Sequence, residues 1–202
     1  MTHDKSSLRA TLRERRRALP PHDHAARSRR AAAALAAERG FKAGARLAAY
    51  LPVAFELDTA ALLAAARRRG VRVYVPVVID RRRRRIEFRP LDGRLRRGAY
   101  GIPVPERAHA ALGARWFDLV AVPLVGVDRR GRRLGMGGGY YDRAFAFRRL
   151  RRTWRGPRLV GLAFDCQRVD SIGAEAWDLG LDALATESGL TDFGGHLDGG
   201  KR

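Results

Sequence analysis

The sequence is poor in the residues that most often announce a function. Cysteine occurs once, at Cys166, so no internal disulfide can form, and the thiol reads as a buried, inert group. No cluster of cysteine and histidine has the spacing of a zinc site. Lysine is confined to Lys5, Lys42 and Lys201. No window approaches the ~20 uninterrupted apolar residues that cross a bilayer, and the amino terminus lacks the apolar stretch and small-residue cleavage site of a secretory signal. These absences set the expectation of a cytoplasmic protein with no membrane partner. No internal repeat is found.

What the chain has in excess is arginine. Basic side chains number 41 against 21 acidic ones, a formal charge of +20. A genome favouring arginine codons yields such a balance with no selected partner. Even so, so positive a surface attracts anions, whether nucleotides, acidic cofactors or nucleic acid. Charge therefore leaves nucleic acid open as a partner. It is not the expected function, because no zinc finger, RNA-recognition signature or readable helix-turn-helix is present.

At 202 residues, 46% of them hydrophobic, the chain is long enough for one sizeable core and too short to make two large domains the expectation. Alanine, leucine and arginine dominate from Ser6 to Leu19 and from Ala25 to Glu38, with Pro20 and Pro21 between, which predicts two helices and a break. Arg46–Pro52 reads as a strand, Ala60–Arg69 as a helix with Asp58 or Thr59 at its N-cap, and Val71–Val78 as a buried parallel strand. Ile86–Pro90, Asp118–Val125 and Arg158–Phe164 read as further strands, and a helix is expected from Tyr140 to Arg151. Strands alternating with helices predict an α/β fold: a single layered domain with a mostly parallel sheet flanked by helices. Residues 1–188 are expected to form it, with 1–40 as an N-terminal helical arm, and 189–202 to be a flexible tail. The run Arg81–Arg85 reads either as a solvated loop or as a rim for phosphate or glutamate carboxylates.

The most informative stretch is Arg133–Arg143, RLGMGGGYYDR. Gly135, Gly137, Gly138 and Gly139 lack Cβ atoms, so the backbone can come close enough to a phosphate for several N–H groups to donate to it. A Walker A loop would need Gly-Lys-Ser/Thr, which is absent, and a Rossmann fingerprint would need glycine at Tyr140. Glycine alone also fits a tight turn that packs a helix on a sheet. Asp142 adds a carboxylate of the kind a hard Mg²⁺ ion takes beside phosphate oxygens, and it equally suits a first-turn acid on a helix dipole.

Five segments carry a resemblance that spans nearly the whole chain: KSSLR at Lys5–Arg9, LPVAFELDT at Leu51–Thr59, DLVAVPL at Asp118–Leu124, the glycine-rich block at Arg133–Arg143, and AFDCQRVDSIGAEAWD at Ala163–Asp178. With these the sequence resembles the 5-formyltetrahydrofolate cyclo-ligase family, also called methenyltetrahydrofolate synthetases. The resemblance implies ATP-dependent closure of a formyl-folate ring with Mg²⁺ as cofactor. Lys5, Ser6, Ser7, Leu8 and Arg9, together with Arg133, Leu134, Gly135, Met136, Gly137, Gly138, Gly139, Tyr140 and Tyr141, match its ATP-binding positions. Val53, Glu56, Asp58, Met136, Gly137, Gly138, Gly139 and Tyr140 fall at its folate-binding positions. Asp142 and Asp178 match its metal positions, and Lys5, Arg9, Arg133 and Tyr140 its catalytic group.

Two departures stand out. Many relatives carry paired glycines where this chain has Ala54 and Phe55, and Met136 occupies a variable position. The implied scheme phosphorylates the formyl oxygen, lets N10 attack the activated carbon and expels phosphate, which calls for cations, backbone donors and Mg²⁺ more than for a nucleophile. His3, His22, His24, His109 and His196 lie outside the matched segments and are given no catalytic role. Two rival readings remain on architecture and charge alone: a nucleic-acid-binding protein, and an α/β enzyme acting on a sugar phosphate or a coenzyme A ester.

Overall fold

The computed structural model describes residues 4–106, 110–150, 156–173, 175 and 177–194. Pro21 opens a helix at its first position, where a missing N–H costs nothing. The break therefore falls between α1 (Lys5–Arg17) and α2 (Pro21–Ala36). Of the expected N-terminal helical arm, α2 packs directly on the sheet. Its alanine and leucine face, Ala31, Ala32, Leu35 and Ala36, is buried against Leu47, Leu62, Leu119 and Val160 of the main core.

Seven strands form one sheet: β1 (Arg46–Ala48), β2 (Arg72–Asp80), β3 (Arg85–Pro90), β4 (Leu119–Pro123), β5 (Arg158–Leu162), β6 (Ala183–Thr186) and β7 (Gly189–Asp192). Their spatial order is β7-β6-β5-β4-β1-β2-β3. β1 pairs in parallel with β2 and β4, and β5 with β4 and β6. β3 and β7 run antiparallel along the two edges. α3 (Ala60–Arg68) links β1 to β2. The apolar run of β4 serves both faces, as a central parallel strand must. Leu119 and Ala121 join the core under α2 and α3, and Val120 and Val122 join the opposite core around Phe88 and Phe145.

Two expectations are corrected. Residues 189–192 are not tail: Gly189, at φ 119, turns the chain so that β7 pairs residue for residue with β6. Residues 195–202 of that expected tail, with His3, His109, His196 and Arg151, lie outside the described residues. The helix expected over Tyr140–Arg151 is a five-residue α4 (Tyr140–Ala144) followed by a 3₁₀ turn at Ala146–Leu150. It ends early because Phe145 leaves helical geometry, with φ −108, and buries its ring 5.7 Å from Phe88.

The order of the sheet positions the site. From β1 the chain passes through α3 to β2 on one side, and later returns to β4 on the other. Such a switch leaves a crevice outside the carboxyl ends of the two strands. α1 is laid across that end by Leu12, which packs on Gly126 where no side chain would fit and joins Val125, Leu134 and Ile172 in a small core.

Candidate active site

A cleft of about 990 Å³ opens at the switch, walled by residues that follow β1, by the glycine-rich loop after β4, by the mid-portion of β2 and by α1. The loop backbone is shaped for close approach: Gly137 and Gly139 have φ of 97 and 66. A Cβ at Gly138 would meet the Tyr140 ring at 2.8 Å. Among the described residues, no backbone N–H from Gly135 to Gly139 has an intramolecular acceptor. Five successive donors are thus left at the cleft surface. α4, at five residues, is too short to add a full helix dipole to them.

Of the Lys5–Arg9 segment, Lys5 and Arg9 line the cleft. Arg9 Nε donates to the Gly135 carbonyl at 2.8 Å, fastening α1 to the loop, and Arg13 Nη2 reaches Met136 Sδ at 3.7 Å. Ser6, Ser7 and Leu8 do other work. The Ser6 amide donates to the Asp4 side chain and the Ser7 hydroxyl to the Asp4 carbonyl, so both belong to the helix cap, while Leu8 packs in the small core.

Both candidate metal carboxylates are in the cleft, each with one oxygen engaged. Asp142 Oδ1 accepts from Arg133 Nη2 at 2.5 Å and from the Leu179 amide at 3.1 Å. Asp178 Oδ2 accepts from Lys5 Nζ at 3.0 Å and from the Glu175 amide at 2.9 Å. Among the described residues no group of three or more His, Cys, Asp or Glu is placed to hold a metal. Two carboxylates with one oxygen to spare suit an ion that keeps waters and phosphate oxygens in its shell, as Mg²⁺ does, and do not suit a closed protein cage. Arg133 is buried beneath the loop, with its guanidinium 5.9 Å from the Tyr141 ring centre and its Nε without a partner.

At the other end, Val53 and Glu56 line the cleft. Glu56 is buried and accepts the Val53 amide at 3.0 Å. Burial raises its pKa, opposed by that amide and by Arg16. Burial likewise pushes the neighbouring Tyr50 and Tyr141 hydroxyls well above their ordinary values, with Glu56 adding to both, so both phenols stay neutral. Asp58, the other residue at a folate position, is exposed, is not among the residues that line the cleft and accepts the Ala60 amide at 2.8 Å beside Thr59, the N-cap of α3. Tyr140 faces Tyr100, their hydroxyls 2.9 Å apart. That hydrogen bond, more than burial, raises Tyr140.

The comparisons with known proteins agree with this geometry. The model of the 5-formyltetrahydrofolate cyclo-ligase family matches residues 1–187. The chain belongs to that family, and it is an enzyme of that class. The 5-formyltetrahydrofolate cyclo-ligase of Escherichia coli K12 is 32% identical over 187 residues, covering 90% of this chain and 100% of its own. The enzyme of the same name from Mycolicibacterium smegmatis is 31% identical over 192 residues, covering 90% and 93%. Among solved structures, the 5,10-methenyltetrahydrofolate synthetase of Aquifex aeolicus superposes with a TM-score of 0.79 at 27% identity, covering 94% of this chain and 92% of that one.

Several residues of this cyclo-ligase's cleft had no sequence signal. Tyr100 lies in an unremarkable loop, yet adopts φ 57 and stacks under Arg81, whose guanidinium is 5.2 Å from its ring. Trp177 and Tyr50 also line the cleft, as does Arg84 of the arginine run that the sequence offered as a rim. Only the AWD motif pointed near Trp177, through the adjacent Asp178. Ala54, at the expected paired-glycine departure, has φ 47, a left-handed conformation that glycine adopts at no steric cost.

Proposed function

We propose that the cleft converts 5-formyltetrahydrofolate to 5,10-methenyltetrahydrofolate at the expense of ATP, with Mg²⁺ held by Asp142 and Asp178. The observation that carries this reading is the row of unpartnered amides from Gly135 to Gly139, fastened to α1 by Arg9 and facing a pocket floored by Glu56 and Tyr50. The first group binds phosphates; the second has the size and apolar walls for a folate ring system.

The reaction needs a leaving group in place of the formyl oxygen. That oxygen attacks the γ-phosphorus of ATP, a P–O bond forms, and the bond to ADP breaks. N10 then attacks the activated formyl carbon and loses its proton. The C–O bond breaks with departure of phosphate, and the methenyl bridge remains. Lys5, Arg9 and the loop amides bind and orient the triphosphate and neutralise the charge that builds on the transferring group. When bound, the magnesium ion supplies further neutralisation at the phosphate oxygens. Val53, Glu56 and Tyr50 hold the folate so that its formyl oxygen faces the γ-phosphate, a gain from positioning. The rim arginine Arg84, free of carboxylate partners among the described residues, meets the acidic end of the folate.

Purified protein mixed with 5-formyltetrahydrofolate, ATP and Mg²⁺ is expected to develop the near-ultraviolet absorbance of the methenyl product. Omission of any one component should abolish the signal. Folded protein that gives no such absorbance contradicts the assignment.

A further inference from the structure

Between β3 and β4 the chain forms a hairpin that stands apart from the main sheet: Leu95–Arg97 pairs antiparallel with Pro103–Pro105. Its tip is drawn tight by its own backbone. The Gly98 amide donates to the Ile102 carbonyl at 2.9 Å, the Ile102 amide to the Ala99 carbonyl at 3.1 Å, and a Cβ at Gly98 would meet Val104 at 2.6 Å. Between these residues Tyr100 holds φ 57 and ψ 19. A residue with a Cβ adopts that left-handed conformation only where its surroundings hold it there. Burial does not hold Tyr100, which is 62% exposed.

Two contacts do. The Tyr100 hydroxyl lies 2.9 Å from the Tyr140 hydroxyl, with the two rings edge to face and their centres 6.5 Å apart. Arg81, from the turn after β2, sets its guanidinium 5.2 Å from the centre of the Tyr100 ring, a cation against an aromatic face. Tyr140 in turn rests on the glycine-rich loop, its ring 2.8 Å from where a Cβ of Gly138 would stand. Tyr100, Ile102 and Pro103 line the cleft together with Tyr140. The hairpin is therefore one wall of the cleft, and its tip is tied through a single hydroxyl pair to the loop that carries the free amides.

We propose that the hairpin Leu95–Pro105 is a strap over the cleft, clasped by Tyr100 to Tyr140, and that its task is to keep water from the activated substrate. That task rests on the phosphorylated formyl group of the function proposed above; the clasp itself does not. An activated formyl group has two fates. Attack by N10 on its carbon gives the methenyl product. Attack by water on its phosphorus breaks the bond to the formyl oxygen, whose electron pair returns to the formyl group, while the water protons pass to phosphate and solvent. The second fate restores 5-formyltetrahydrofolate and consumes one ATP with no ring closed. A closed wall leaves N10 as the nucleophile within reach. Tyr100 is thus a positioning residue, which acts through Tyr140 and the hairpin and not on the reacting atoms.

The test compares the parent with Tyr100→Phe, which keeps the ring under Arg81 and loses the hydroxyl pair, and with Tyr100→Gly, which loses both contacts. Hydrogen exchange on the free protein reads the clasp: the amides of Gly98 and Ile102 are expected to exchange about fivefold faster in Tyr100→Phe, and faster again in Tyr100→Gly. Exchange as slow as in the parent overturns the clasp. The ratio of ADP formed to methenyl product formed reads the task. It is expected at one in the parent and to rise roughly twofold or more in Tyr100→Phe, further in Tyr100→Gly. A variant that turns over more slowly with the ratio still at one marks Tyr100 as merely structural and overturns the strap. Should the parent form no methenyl product, the proposed function falls with the strap's task, while the exchange rates still decide the clasp.

Discussion

Asp142 accepts from a buried arginine and from the Leu179 amide through a single oxygen, so its two obvious substitutions are different experiments. Asp142→Asn keeps an acceptor for the amide and removes the charge. It is expected to lower kcat/KM with Mg-ATP about 10- to 100-fold while the protein stays folded. Asp142→Ala also strands Arg133, and should cost roughly 1–3 kcal/mol of stability, read as a lower denaturant midpoint. Equal activity per folded molecule in Asp142→Asn and the parent would reduce this carboxylate to a structural acid. At this scale the sequence was legible where residue type is unusual. RLGMGGGYYDR led to the cleft because glycine clusters with acids beside them are uncommon, whereas Lys5 and Arg9 were singled out only by the family resemblance. Arg16 was not legible, since within RRR nothing separates a buried arginine from two solvated neighbours. Asp58 stayed ambiguous because an acid at a helix start and a ligand carboxylate look alike in one dimension.

Elements were legible in proportion to their apolar content. β2, β4, β5, α2 and α3 are runs that can only be buried, and their bounds fall within a few residues of expectation. β6 and β7 were lost because Ala183–Thr186 is short and its partner begins with glycine in a polar stretch, where pairing, not composition, makes the strand. α4 was overextended because arginine and alanine favour helix locally, while burial of Phe145 overrides that preference. The DCQ motif shows how a family signature can be structural. Gln167 is buried, donates through Nε2 to the Leu124 and Val125 carbonyls at 3.0 Å each, and accepts the Phe164 amide at 2.9 Å. It ties the exit of β5 to the exit of β4. Gln167→Leu leaves three buried backbone groups unpaired and should cost about 3 kcal/mol or more, at roughly 1–3 kcal/mol each. Thermal melting is expected to fall by on the order of 10 °C, with KM values at low temperature little changed. A melt within two degrees or so of the parent would show that water replaces the amide without loss.

For the whole molecule, a formal charge of +20 was legible at once and said least about mechanism. Ion pairs such as Arg27–Glu187, Arg148–Asp182 and the two acids that share Arg158 leave that excess untouched, since it is what remains after every carboxylate has been matched. The sheet order, which no local pattern reveals, is what brings an amino-terminal helix, a glycine loop and a buried glutamate to one cleft. Among the described residues no helix is long and apolar enough to cross a membrane. The joint use of those distant parts is tested most directly by following one oxygen atom. With oxygen-18 in the formyl group of the substrate, a triphosphate held by Lys5, Arg9 and the loop amides against that oxygen should yield inorganic phosphate carrying one labelled atom per turnover. Unlabelled phosphate formed in step with the methenyl product, with the label passing into water, would contradict phosphoryl transfer to the formyl group.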